Sequence, residues 1–159
     1  MSLQDAVQVL TRLGTGQDLP GRSEIVAAAL AADTVALDLP GRDIQDAAAG
    51  LKTLAGGQRL VLDQAGRERA LHLADVLATY DWRKERGYVG RGGVVVLYAG
   101  KINSWVNELR NPDHWVAGAV AVNEAGDSWI AIGGDEQNGA TAWKPQWVDG
   151  RLAEAAITL

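Results

Sequence analysis

The sequence predicts an α/β or α+β protein, a single domain over residues 1–159 with a mixed β-sheet flanked by helices and closed by a C-terminal antiparallel hairpin. Helix-period and strand-period segments alternate up to about residue 110, which points to crossover connections and parallel pairing. From Trp115 onward the period changes to two, around a turn at Asn123-Glu124-Ala125-Gly126. The chain has no cysteine and no phenylalanine, yet five of its six tryptophans fall between Trp105 and Trp147. The domain therefore divides into an alternating part, 1–110, and a Trp-rich hairpin and lid segment, 111–159.

Ser2-Leu3-Gln4-Asp5 has the pattern of a capping box, and Leu3, Val7, Leu10 and Leu13 follow at helical spacing, so a first helix is expected over Ser2 to Leu13 with Gly14 as its stop. Ser23 caps an alanine-rich helix to about Ala32. Thr34 to Leu39 reads as a buried strand ending at Pro40-Gly41. Asp43 caps a helix to about Ala55, and a second strand, Arg59 to Asp63, leads into a helix from about Gly66 to Arg86. A third strand, Val94 to Tyr98, is followed by Ala99-Gly100-Lys101 and a helix from Ile102 to Arg110, whose Ile102, Trp105, Val106 and Leu109 share one stripe. The hairpin Val116 to Val122 and Ser128 to Gly133 places Val116, Val120, Val122, Ile130 and Ile132 on one face, and Ala117, Ala119, Ala121, Trp129 and Ala131 on the other. Both faces are apolar, so both need cover. Trp143-Lys144-Pro145-Gln146-Trp147 suits an edge or extended segment because proline cannot donate to a ladder.

Composition excludes several function classes. Without cysteine there is no disulfide, no thiolate zinc site and no cysteine nucleophile. No apolar run approaches the roughly 20 residues that span a membrane, and the amino terminus carries no secretion signal, so a cytoplasmic protein without membrane partners is expected. A net charge of -5 disfavours non-specific nucleic-acid binding. Arginine in excess of lysine, with abundant alanine and glycine, suits a bacterial or phage source. The histidines His72 and His114 are isolated, no serine stands in a nucleophile elbow, the Gly87 to Gly93 stretch precedes its strand where a phosphate loop follows one, and Gly100-Lys101 is followed by Ile102 in place of the Ser or Thr that holds magnesium. No cofactor and no resident metal is called for.

Charge is nonetheless uneven. Arg83, Lys84, Arg86, Arg91, Lys101 and Arg110 crowd residues 81–112, where Trp82 and Tyr88 interleave aromatic rings with positive charge, the composition of a base-stacking surface. The leading expectation is a non-catalytic binding or inhibitory protein. It would hold a flat, anionic, nucleotide-like ligand or a protein partner through Arg91, Trp105, Arg110, His114, Trp115, Trp129 and Trp143. The first alternative is a divalent-metal-dependent phosphoesterase or phosphotransferase: three parallel strands would bring Asp38, Asp63 and Lys101 to one sheet edge, two carboxylates for the metal and an amine for phosphate. The second alternative is a homo-oligomeric structural subunit with tryptophans in the subunit interface.

Overall fold

The computed structural model describes residues 2–18, 20–36, 64–148 and 151–152. Among them are helices α1 (Leu3–Thr15), α2 (Arg22–Ala36) and α3 (Gln64–Arg86), and strands β1 (Val94–Tyr98), β2 (Lys101–Val106), β3 (Val120–Asn123), β4 (Ser128–Ile132), β5 (Ala142–Val148) and β6 (Arg151–Leu152), an α+β architecture. The chain divides into two compact units, Met1–Trp82 and Arg83–Leu159.

In the first unit, the capping box is present as the sequence predicts. Ser2 Oγ accepts the Asp5 N–H at 3.2 Å while the Asp5 carboxylate accepts the Ser2 N–H at 3.2 Å. The Ser2 hydroxyl also donates to Asp5 Oδ2 at 2.9 Å, and this bond first, then the one from the Ser2 N–H, holds the Asp5 carboxyl below its usual range. Ala6, Val9, Leu10 and Leu13 form the buried stripe. The helix does not stop at Gly14. It runs on to Thr15 and ends at Gly16, whose left-handed φ of 74° turns its N–H onto the Arg12 carbonyl. Gly14 has a packing role instead, since a Cβ there would stand 2.5 Å from Leu71 Cγ and 3.0 Å from the Arg67 carbonyl oxygen of α3. At the other end Gln4 Nε2 donates to Asp81 at 3.1 Å, so α1 and α3 run antiparallel. Arg12 pairs with Glu24 at 3.2 Å and joins α1 to α2.

The expected strand from Thr34 does not begin there, because residues 34–36 continue α2; an alanine-rich helix already in progress carries Thr and Val at small cost in propensity. Residues 37–63, which include the remainder of that strand, the helix expected from Asp43, the second strand, Asp38 and Asp63, lie outside the described residues. Helix α3 appears where periodicity places it. Ala70, Leu73, Ala74, Leu77 and Tyr80 are buried, and so is a second line at helical spacing, His72, Val76, Thr79 and Arg83.

The second unit is built on a six-stranded sheet of order β2-β1-β3-β4-β5-β6, and every pairing in it is antiparallel. The expected parallel, mixed arrangement is therefore not what the described strands form. The largest correction lies at 101–110. The segment expected to be a helix opening at Ile102 is β2, which folds back on β1. Ala99 and Gly100 take φ of 52° and 78°, two consecutive positive values that fit a two-residue type I′ hairpin turn. Ile102, Trp105 and Val106 are good strand formers, and pairing with the all-apolar β1 overrides a spacing that also fits a helix. A bulge at Asn103 resets the register between Val96↔Ser104 and Leu97↔Ile102.

The predicted hairpin is present as β3 and β4, in the register Val120↔Ile130, Ala121↔Trp129 and Val122↔Ser128. Cross-strand partners share a face, so the registers sort the sheet. One face carries Val94, Val96, Val106, Ala121, Trp129, Ala131 and Trp143; the other carries Val95, Leu97, Trp105, Val122, Ser128 and, beyond a bulge in β5, Trp147. On the first, Val94, Val96, Ala119, Ala121, Ala131 and Ala140 form a buried floor against which Val106, Leu109, Trp115, Trp129 and Trp143 pack.

Candidate functional site

The tryptophans do not form one cluster. Trp147 is 4% exposed and belongs to the core, whereas Trp105, Trp115, Trp129 and Trp143 are half-buried. Trp115, Trp129 and Trp143 roof the alanine floor, with the Trp115 and Trp143 rings 5.7 Å apart and tilted by 53°. The cover that the alanine face of the hairpin needs is thus supplied by the chain's own indoles. His114 lies 5.9 Å from Trp115 and is exposed. Arg110 joins this group through its backbone, its carbonyl accepting Trp143 Nε1 at 3.3 Å, while its guanidinium donates to Asn107 Oδ1 at 3.1 Å. The 3-10 turn Pro112–His114 is held by the loop that precedes β5: Ala140 N–H donates to the Trp115 carbonyl at 2.7 Å, and any Cβ on Gly139 would collide with the Asp113 backbone.

Asp135, in that same loop, accepts from Asn138 N–H at 2.7 Å, Asn138 Nδ2 at 3.0 Å and Gln137 N–H at 3.0 Å. Its carboxyl is held below the usual range by Asn138, backbone before side chain, and then by Gln137. That carboxylate is consumed by the turn it organises.

A second site assembles on the face carrying Trp105, around the glycine-rich loop between α3 and β1. Helix α3 ends with Gly87 at φ 77° and Tyr88 N–H on the Arg83 carbonyl at 2.7 Å, the long-range bond of a Schellman motif. The Arg83 side chain, 3% exposed, gathers the loop from beneath. Its Nη1 donates to the Gly92 carbonyl at 2.8 Å and its Nη2 to the Gly93 carbonyl at 3.0 Å. From the turn between β3 and β4, the Glu124 carboxylate accepts the Gly90 N–H at 2.8 Å and the Gly92 N–H, and stands 3.3 Å from Arg83 Nη1. Burial draws the Arg83 pKa down, and the Glu124 charge opposes that shift.

Above this brace lies a stack. Tyr88 and Trp105 have ring centroids 5.0 Å apart and planes within 13°, and the Arg91 guanidinium lies 5.3 Å from the Tyr88 centroid. Trp105 Nε1 donates to the Gly92 carbonyl at 2.9 Å, so the indole is fixed by the loop it packs on. Gly93 makes this approach possible, since a Cβ at its φ of 67° would meet the Val106 carbonyl and stand 2.9 Å from the Trp105 ring. Arg91 is exposed and forms no ion pair among the described residues.

The sequence-derived site residues therefore separate into two groups, Arg91 with Trp105 on one face, and Trp115, Trp129, Trp143, His114 and Arg110 on the other. Tyr88 is the link between Arg91 and Trp105. Arg83 and Glu124 were not legible as site residues. The available signal was the spacing of Arg83 from His72, Val76 and Thr79, which puts a guanidinium on a buried helix line and implies a partner; nothing local marked Glu124. Of the alternative constellation, Lys101 starts β2 at an exposed hairpin turn instead of opening a helix, and Asp38 and Asp63 lie outside the described residues. Among the described residues no group of three His, Asp or Glu side chains is placed to hold a metal ion. No helix among them is long and apolar enough to cross a membrane. No known protein family, curated protein or solved structure matches the chain.

Proposed function

We propose that this chain is a non-catalytic binding protein that takes a flat, anionic, nucleotide-like ligand at the Gly87–Gly93 loop. The observation that carries the reading is the Arg91–Tyr88–Trp105 stack. An exposed cation–π contact is worth about 0.5–1 kcal/mol, whereas a base on an aromatic platform is worth about 1–3 kcal/mol. A planar ligand therefore displaces the Arg91 guanidinium from the Tyr88 ring at a net gain. Arg91 is then released to meet the ligand's negative charge, for which it has no competing ion pair among the described residues. Trp105 backs the platform and is held by Gly92, so little ordering remains to be done on binding.

Titration with adenosine 5′-monophosphate, read by tryptophan fluorescence, tests this reading. The expected result is a saturable change that is lost in Arg91→Ala and in Tyr88→Ala and kept in Trp115→Ala. No change in the wild-type chain would overturn it.

A second reading has its own observation. Trp115 and Trp143 are half-buried, mutually tilted and flanked by the exposed His114 and Arg110, an aromatic centre with a polar rim as in protein interfaces. A fluorescence response abolished by Trp115→Ala and unaffected by Arg91→Ala would favour this face.

A further inference from the structure

The Glu124 carboxylate is held as an anionic ligand would be. Three donors converge on it: the Gly90 N–H at 2.8 Å, the Gly92 N–H, and Arg83 Nη1 at 3.3 Å. The two amides come from glycines at φ of 84° and 68°, the left-handed backbone that turns successive N–H groups toward one point and forms anion-binding concavities. The guanidinium beneath them is almost wholly buried, and its Nε has no hydrogen-bond partner. Glu124 itself is 24% exposed and arrives from a different turn of the chain, so its carboxylate can leave without disturbing the cradle's own covalent frame. Arg91 stands between the two donor glycines, which puts the aromatic stack and the cradle on one loop.

We infer that the Arg83, Gly90 and Gly92 donors form an anion site that Glu124 fills in the free protein, and that the phosphate of a flat anionic ligand takes the carboxylate's place. The inference rests on the reading of the stack as the ring subsite and adds the second subsite, with Glu124 as a built-in competitor. A phosphate carries nearly two charges and three acceptor oxygens against the carboxylate's one charge and two oxygens, so it satisfies the cradle more fully. Glu124 then sets a threshold that rejects weak anions and admits phosphate esters.

The test uses the full chain, 15N-labelled, as wild type and as Glu124→Ala, titrated separately with inorganic phosphate, adenosine and adenosine 5′-monophosphate. Inorganic phosphate is expected to shift the Gly90 and Gly92 amide resonances in Glu124→Ala at concentrations about tenfold below those needed in the wild type. The monophosphate is expected to gain about the same factor, and adenosine none. Silent Gly90 and Gly92 amides in Glu124→Ala, or an equal gain for adenosine, would overturn the inference. Amides that respond to phosphate while Trp105 stays silent to adenosine 5′-monophosphate would leave the cradle standing and remove the ring subsite. Should Glu124→Ala fail to fold, Glu124→Gln keeps an oxygen for one amide while removing the charge, and the same resonances decide.

Discussion

The Arg83 guanidinium and the Glu124 carboxylate lie 3.3 Å apart, the first 3% and the second 24% exposed, and between them they take the Tyr88, Gly92 and Gly93 carbonyls and two N–H groups of one glycine-rich loop. A charge buried to that degree is tolerated because it is paired and hydrogen-bonded. The loop has an ordered conformation because the pair closes on it from both sides.

Arg83→Met keeps much of the apolar stem and removes the charge, leaving the Gly93 carbonyl without its donor and Glu124 without its cation. A loss of about 3–5 kcal/mol is expected from breaking such a pair at its buried end, and a smaller loss from Glu124→Gln at the exposed end. Urea denaturation of the two variants measures both. A smaller loss for Arg83→Met than for Glu124→Gln would refute the brace.

Gly90 and Gly93 share a left-handed φ but differ in surroundings. At Gly90 a Cβ meets nothing within 4 Å, so Gly90→Ala is expected to cost about 1 kcal/mol of backbone strain. At Gly93 the Val106 carbonyl and the Trp105 ring stand in the way, and Gly93→Ala is expected to cost at least about 2 kcal/mol and to shift the tryptophan emission as the indole is pushed off Gly92. Equal losses by thermal denaturation would show that steric closeness at Gly93 is unimportant.

In the first unit, Gly14→Ala drives a methyl group against Leu71 and is expected to destabilise by about 1–3 kcal/mol. Leu71→Ala is expected to relieve part of that cost. A double-mutant cycle reads the coupling directly, and strict additivity would mean that α1 and α3 do not meet there.

Asp75, on α3, has its carboxyl pushed up to about 7 by burial, from 3.8. Between those values the folded chain keeps a proton that the unfolded chain has lost. Its contribution to stability is therefore whole below about pH 4 and disappears as pH rises through about 7. Asp75→Asn is expected to flatten the fall in stability between about pH 4 and about pH 7 in urea titrations. An unchanged slope would place the proton elsewhere.

Where one local signal decided the structure, the sequence was read correctly. The capping box at Ser2 and Asp5, the long helix expected from about Gly66 to Arg86 and found over Gln64–Arg86, and the alternation that sets Ala121 against Trp129 each depend on neighbours a few residues apart or on a short turn. Residues 101–110 were misread because Ile102, Trp105, Val106 and Leu109 satisfy a helical period while Ala99-Gly100 satisfies a hairpin turn. Only the presence of β1 as a partner strand decides between the two.

The site divides in the same way. Sequence alone determined that aromatic and cationic side chains gather in the second half of the chain, and that a glycine-rich loop lies among them. Tertiary structure alone decided that Trp105 faces away from Trp115 and Trp143, that Tyr88 joins it to Arg91, and that Glu124, 34 residues from Gly90, occupies the loop's amide donors. The physical reason is range. Caps, turns and periodicity act over a few residues and leave their mark in the sequence, whereas strand register and charge pairing join positions whose distance along the chain carries no trace of their contact.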